Sequence, residues 1–296
     1  MVASTRFLYL ALVVMGATWG VTPVLVKIVV TAGHQPFGMI VWTSAISVVL
    51  SGVVTLGRGR KLPLSLAHLK LYLGVSLLGA VIPNILNFTA AVHLPAGIMS
   101  ILIALVPMFA MPMALVMGFE KPSVIRFIGT LCGAVAIVLI VGPDTGLPDP
   151  SKAIFVLVAL GASFCYGAEG NFLTWFGARK LDPVQILFGA SLVGFLIAVP
   201  SAFLTGQSIN PLAPWGAPEF AIAGAAVISW GTYATYIWMI GKAGPVFSSQ
   251  VAYLVTGWGV VWSMLLLGER YSIWVWMAFA LMLVGITLVR PRDSRA

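Results

Sequence analysis

Ser163-Phe164-Cys165-Tyr166-Gly167-Ala168-Glu169-Gly170-Asn171 puts a carboxylic acid inside an apolar run that opens after Lys152 and closes before Arg179. No other acidic residue of the chain must sit so deep in such a run. An ionised carboxylate at the centre of a bilayer costs about 2.5–3.5 kcal/mol on insertion scales. The glycines beside Glu169 leave room for a close neighbour. A chain that keeps this residue at this depth is expected to build a polar pocket around it.

The composition places the run in a membrane. Hydrophobic residues make up 60% of the chain and charged residues 8%, with a mean hydropathy of +1.05. A soluble domain carries about 25% charged residues. The net charge of +8 would suggest nucleic acid in a soluble protein, but here the positives sit in short loops, so no nucleic-acid partner is expected. Cys132 and Cys165 both fall in apolar stretches and read as small packing residues. Phe7 to Val30 is too long for a signal-peptide core and reads as a retained first span.

A helical span needs roughly 20 apolar residues. Cutting the chain at charges, prolines and glycines gives ten candidates: 7–30, 36–56, 69–91, 95–117, 122–141, 152–177, 183–204, 219–240, 245–267 and 271–290. Ten spans put both termini on one side, and charge says which. With the N-terminus inside, the cytoplasmic segments hold thirteen basic residues: Arg6, Arg58, Arg60, Lys61, Lys70, Lys121, Arg126, Arg179, Lys180, Lys242, Arg290, Arg292 and Arg295. The outer loops hold Lys152 and Arg270, and Lys27 lies within the first span. This asymmetry predicts cytoplasmic termini.

The sequence also repeats. Trp19-Gly20 and Pro36 recur without a gap as Tyr166-Gly167 and Pro183; Pro95 recurs as Pro245 and Glu120 as Glu269 with small shifts. Residues 1–143 and 144–296 each hold five spans, and an odd number inverts the second half relative to the first. The expected fold is an all-α membrane protein of ten transmembrane helices, two inverted five-helix repeats around a central cavity. This is the layout of secondary transporters with a midplane site.

Depth follows from about 1.5 Å of rise per residue. Span 1 centres near Trp19-Gly20 with Pro23 one turn on, span 3 near Pro83-Asn84, span 4 near Pro107, span 6 near Cys165-Tyr166, span 8 near Trp230-Gly231, and span 9 near Thr256-Gly257. These six spans, three from each half, carry a proline or glycine at the centre. Proline frees a carbonyl, and glycine lets a backbone approach or unwind, which is tolerated at depth where protein or a wet cavity receives it. Span 5 offers Gly129-x-x-x-Gly133 as a close-packing face.

The candidate substrate-binding residues are Trp19, Asn84, Asn87, Tyr166, Glu169, Trp230 and Tyr233. The aromatic rings lie away from the interfacial belts and either stack on a substrate or pack helices together. Asn84 and Asn87 share a helix face and either bond a substrate's polar end or join helices. Glu169 pairs with a substrate ammonium, carries a coupling proton, or bonds a neighbouring amide; Asn171 points away from it. Lys27 is expected to snorkel to the interface and His93 to sit at a surface loop. Gln250, Thr256 and Trp258 are lesser candidates. The chain has no nucleophile elbow, zinc-protease motif, phosphate loop or Cys/His cluster, so no catalytic residue, metal or cofactor is expected.

Trp19-Gly20 with Lys27, Val106-Pro107 followed by Gly118-x-Glu120, Leu267-Gly268-Glu269-Arg270, and the Gly-rich stretches Gly129 to Gly142 and Met277 to Arg290 carry a resemblance. The chain resembles the ten-span, two-repeat EamA type of the drug/metabolite transporter superfamily, and within it the bacterial inner-membrane exporters of aromatic and other neutral amino acids. The resemblance implies bundles of spans 3, 4 and 6 against spans 1, 8 and 9, with alternating access between them. It departs at Glu169, whose repeat partner is Thr22.

The function expected is export of neutral amphipathic metabolites, foremost aromatic and other neutral amino acids, from a bilayer-embedded site. Export of hydrophobic or quaternary cations is the alternative, with Glu169 and the aromatics as a cation site. A lipid-handling membrane enzyme or subunit is the remote one.

Overall fold

In the computed structural model the described residues, 5–119, 124–141, 149–248 and 251–288, form helices and connections without a strand. Glu120, Lys121, Gly142, Gln250, Arg290, Arg292 and Arg295 lie outside the described residues. Six stretches are long and apolar enough to cross a membrane: Arg6–Thr31, Pro36–Gly57, Leu66–His93, Ala96–Val116, Pro150–Phe176 and Pro183–Leu204. They coincide with candidate spans 1 to 4, 6 and 7. Shorter apolar helices at Phe127–Ile140, Leu254–Leu267 and Ile273–Gly285 stand at spans 5, 9 and 10. The 32-residue helix Ala217–Ser248 stands at span 8.

Each interruption of a span in the first half lies beside a proline, whereas Pro112 and Pro200 sit inside unbroken helices. The proline ring removes one donor and crowds the carbonyl four residues back. Span 1 is α1 (Thr5–Gly20) and α2 (Thr22–Thr31), parted just ahead of Pro23. Span 2 is α3 (Pro36–Gly57). In span 3, α4 (Leu66–Ser76) enters a π turn at Leu77–Val81, where Ile82 N–H donates to the Leu77 carbonyl. Helix α5 (Ile82–His93) follows with Pro83 in its first turn. Span 4 is α6 (Ala96–Ile103) and α7 (Val106–Val116), parted at Ala104-Leu105 just before Pro107.

The central glycines of the second half act differently. After α8 (Val124–Val141), α9 (Ala153–Phe176) runs unbroken through Gly167. Beyond α10 (Pro183–Leu204), α11 (Ala217–Ser248) and α12 (Val251–Leu267) run unbroken through Gly231 and Gly257, and α13 (Ile273–Leu288) closes the described chain. Glycine keeps its N–H, so it permits contact without removing a bond. Helix α11 also continues past the expected turn at Gly241–Pro245 to Ser248. A proline can be absorbed within a helix as a kink.

The helices form two groups and two pairs. Helix α9 packs on α5, α6 and α7; α1 packs on α11 and α12, and α2 on α11. Helix α3 pairs with α10, and α8 with α13. In a bilayer, association rests on close packing rather than on water, and the glycines show it. A Cβ on Gly16 would lie 2.3 Å from Leu254 Cβ, and one on Gly285 2.7 Å from the Gly129 carbonyl oxygen.

The ends of the molecule differ. One end, here the Glu269 end, brings together His34 with Glu219, His93 with Phe155, and the N-terminus of α6 with Glu269. The other, the Arg60 end, joins Arg60 to Asp182 in an ion pair. From mid-depth to the Glu269 end one continuous core includes Val29, Met39, Leu94, Ile98, Leu102, Val156, Ile222, Val260 and Val275. Toward the Arg60 end it splits. Leu12, Met15, Met239 and Val251 form one cluster; Leu71, Val75, Ile186 and Ala190 form another, covered by Phe172 and Phe176. The two bundles meet through α2 on α5 and α6, and through α12 on α6. Among the described residues, the protein is closed at the Glu269 end and parted at the Arg60 end.

Candidate functional site

Tyr166 lies where the core divides. Its hydroxyl stands between two amides of α5. Asn87 Nδ2 donates to Tyr166 Oη at 3.3 Å, and Tyr166 donates to Asn84 Oδ1 at 3.5 Å. Asn87 is 7% exposed, and its Oδ1 has no partner. One turn further along α9, the Glu169 carboxylate lies against the π turn of α4–α5. A Cβ on Gly79 would lie 2.3 Å from Glu169 Oε1, so glycine is what admits the acid here. Gly79 is also the residue four before Pro83, whose carbonyl the proline ring displaces from α-helical bonding.

The other bundle faces this cluster with aromatics. Glu169 is close enough to Tyr166 and Tyr233 to act on both hydroxyls electrostatically. Tyr233 and Tyr236 share a face of α11, and the Tyr236 ring lies 6.5 Å from that of Trp19. Asn84, Asn87, Tyr166 and Glu169 thus gather on one bundle with Tyr233 near them on the other, and Trp19 meets Tyr236, one turn on from Tyr233.

Trp230 is not among them. Its Nε1 donates to Ser51 Oγ at 2.8 Å, turning the indole toward α3. Asn171 bonds the carbonyls of Ala110 and Gly167, both at 2.9 Å, and so points away from Glu169. Thr256 reaches the Ser100 carbonyl at 3.4 Å, and Trp258 stacks on Trp262. Cys132 and Cys165 are free thiols. Among the described residues, no group of three or more His, Cys, Asp or Glu could hold a metal ion.

At the Glu269 end, His93 stands partly exposed at the turn between α5 and α6, as expected, with its ring stacked on Phe155 at 3.6 Å between centroids. One expectation at this end is corrected. Lys27 does not snorkel. Its ammonium donates to the carbonyls of Ala91, Leu94 and Val92 at 2.7, 2.9 and 3.3 Å. The end of α5 leaves carbonyls without intrahelical donors, and a cation at a helix C-terminus satisfies them.

Sequence reasoning passed over Gly79 and Tyr236. Tyr236 could have been found as the residue three after Tyr233 on the same helix face. Gly79 could have been found as the position four before Pro83.

Two shallow crevices are lined by apolar residues and, of the candidates, take in Trp258 alone. One of about 320 Å³ lies between α12 and α13, beside Trp258, Trp276 and Phe279; another of about 240 Å³ runs along Ala45, Ile46, Val49 and Leu50 of α3. In a bilayer such surfaces meet acyl chains.

The model of the EamA-like transporter family matches residues 6–142 and again residues 153–290. The chain belongs to the EamA-like transporter family. It is a membrane transporter of the drug/metabolite transporter superfamily. The inner membrane transporter YedA of Escherichia coli (strain K12) is 24% identical over 294 residues, which cover 95% of this chain and 90% of YedA. YedA of strain O157:H7 matches to the same extent. A solved crystal structure at 19% identity superposes with a TM-score of 0.63, covering 99% of this chain and all of that one, which makes the likeness one of fold.

Proposed function

We propose that this EamA-family protein is a secondary transporter of the inner membrane that exports neutral amphipathic metabolites, foremost aromatic and other neutral amino acids. The observation that carries the reading is the cluster where the core divides. Tyr166 bridges Asn84 and Asn87, Glu169 lies one turn on, and the other bundle brings Tyr233 near Glu169 and Tyr236 against Trp19. The amides and the acid receive the polar end of the substrate, and the rings receive its apolar part. Lys27, a basic residue well inside span 1, is committed to backbone carbonyls. Phosphates and nucleotides would call for free Arg or Lys at depth.

The mechanism is alternating access between two inverted five-helix repeats, residues 1–143 and 144–296, with both termini cytoplasmic. The packing supports it. Exchanging each span with the one five places on turns span 1 on spans 8 and 9 into span 6 on spans 3 and 4, and leaves the pairs 2 with 7 and 5 with 10 unchanged. All of these contacts occur. Gly20 has no room for a Cβ, which would lie 2.9 Å from the Val255 oxygen; a Cβ on Gly167 would lie 2.9 Å from Ala110 N. Those are the repeat-related crossings. Helices α3 and α10 both start on proline and both end at a left-handed glycine, Gly59 at φ 68° and Gly206 at φ 69°. With the charge-derived orientation, the Arg60 end faces the cytoplasm and the chain is in an inward-facing state.

A second reading is export of hydrophobic or quaternary cations. The placement of Glu169 beside Tyr166 and Tyr233 favours it, since anionic and aromatic groups together attract cations. Counterflow in proteoliposomes with labelled tryptophan, phenylalanine, threonine and a quaternary amine tests both. Amino acid counterflow that survives Glu169→Gln supports the first reading. Quaternary-amine counterflow that Glu169→Gln abolishes supports the second. No counterflow of any of the four removes both.

A further inference from the structure

The turn between α5 and α6, His93-Leu94-Pro95, is gripped from both sides by charged residues of the other bundle. Lys27, on α2, bonds the carbonyls of Ala91, Val92 and Leu94 at the end of α5. Glu269, beyond the end of α12, accepts from the backbone N–H groups of Ala96 and Gly97 at 2.8 and 3.2 Å. The arrangement is complementary twice over: a cation meets the negative end of one helix dipole and an anion the positive end of the next.

The grip on α6 is reinforced. Tyr271 Oη accepts from Gly97 N–H at 3.1 Å, donates to Glu269, and shares a hydrogen bond with Ser263 at 2.7 Å. A Cβ on Gly97 would lie 2.2 Å from Tyr271 Oη, so the glycine is what lets this segment close down on α6. These contacts stand at the closed end, where the bundles share a continuous core. Parting the bundles there breaks every contact to Ala91, Val92, Leu94, Ala96 and Gly97.

We infer that Lys27 and Glu269 are the two halves of an ionic gate. They clamp the α5–α6 turn to hold the Glu269 end shut, and both must let go of it for that end to open. The inference rests on the alternating-access reading. It assigns these residues a share in the balance between states, and no contact with substrate. Ser100, one turn below Ala96 on α6 and 1% exposed, marks the seal beneath the gate.

The test reads opening without transport and in both orientations. Protein in lipid nanodiscs carries Ser100→Cys with Cys132→Ala and Cys165→Ala, and the rate of labelling by a membrane-impermeant maleimide is measured. Amide hydrogen exchange of residues 94–100 is followed in protein with its own cysteines and serine, so the result does not hang on the labelling variant folding. Lys27→Met and Glu269→Gln are each expected to raise both rates by about tenfold, as a shift toward the open state would. The double variant should rise by less than the product of the two, because both residues hold one turn. Lys27→Arg should restore the slow rates. Rises below about threefold in both readouts for both single variants overturn the gate, since a population shift that small leaves the equilibrium nearly in place. Counterflow by the unaltered protein is measured separately. If it moves no solute while the variants still open, the transport reading fails and the gate stands.

Discussion

Glu169 and Gly79 form one structural unit although they lie ninety residues apart. The acid occupies the space that any Cβ at position 79 would take, with Oε1 2.3 Å from where that atom would be. Gly79→Ala therefore pushes the carboxylate aside. Helix propensity favours alanine over glycine by about 1 kcal/mol, and a flexible side chain moves cheaply, so stability should hold or rise. Counterflow of any substrate that uses Glu169 should fall, by about ten- to a hundredfold if a charge-assisted contact of 1.5–3 kcal/mol is lost. A fall in melting temperature that matches the loss of transport would show that the variant simply unfolds. At this scale the common level of Asn84, Asn87 and Tyr166 was legible, because flanking charges and a fixed helical rise locate residues along a span. Direction around the helix was not. Trp230 turned to Ser51, and Lys27 turned to the end of α5, because partners on other helices decide which way a long side chain points.

Among the elements, proline and glycine divide the labour that the sequence reading gave to both. Pro23, Pro83 and Pro107 interrupt spans 1, 3 and 4, whereas Gly167, Gly231 and Gly257 leave their helices whole. The glycines that matter are those at crossings. Gly20→Ala and Gly167→Ala each drive a methyl to 2.9 Å from a backbone atom of the crossing helix, which cannot step aside as a side chain can. Each should cost about 1–3 kcal/mol, read as a lowered melting temperature in nanodiscs. A Cβ on Gly231 meets nothing within 4 Å, so Gly231→Ala should be neutral or stabilising by up to about 1 kcal/mol. Equal losses at positions 20 and 167 support the repeat; a loss at one alone weakens it.

For the molecule as a whole, the core is continuous at the Glu269 end and divided at the Arg60 end. Ile98 is fully buried in the continuous core at the Glu269 end, whereas Leu12 is buried in a cluster internal to one bundle. Ile98→Ala and Leu12→Ala delete comparable volumes and should each cost about 2–5 kcal/mol of stability. Their effects on motion should differ. Ile98→Ala loosens the seal between bundles and should speed amide exchange in α2; Leu12→Ala leaves the seal intact and should not. Equal exchange in the two variants would mean that the bundles do not move as bodies.

Hydropathy, charge and proline placement together determined the membrane class and the expected spans, because these depend on composition along a line. The family match over residues 6–142 and 153–290 agrees with that reading of the chain. Only the tertiary structure decided which residues meet. It lodged Glu169 on Gly79, set Tyr236 beside Trp19, sent Trp230 to α3, and closed one end with Lys27 and Glu269. The stretch at 163–171 announces a buried acid, but its neighbours come from helices distant in sequence. Without a water-driven hydrophobic term in the bilayer, small-residue contacts and a few hydrogen bonds choose those neighbours, and a one-dimensional pattern does not encode them.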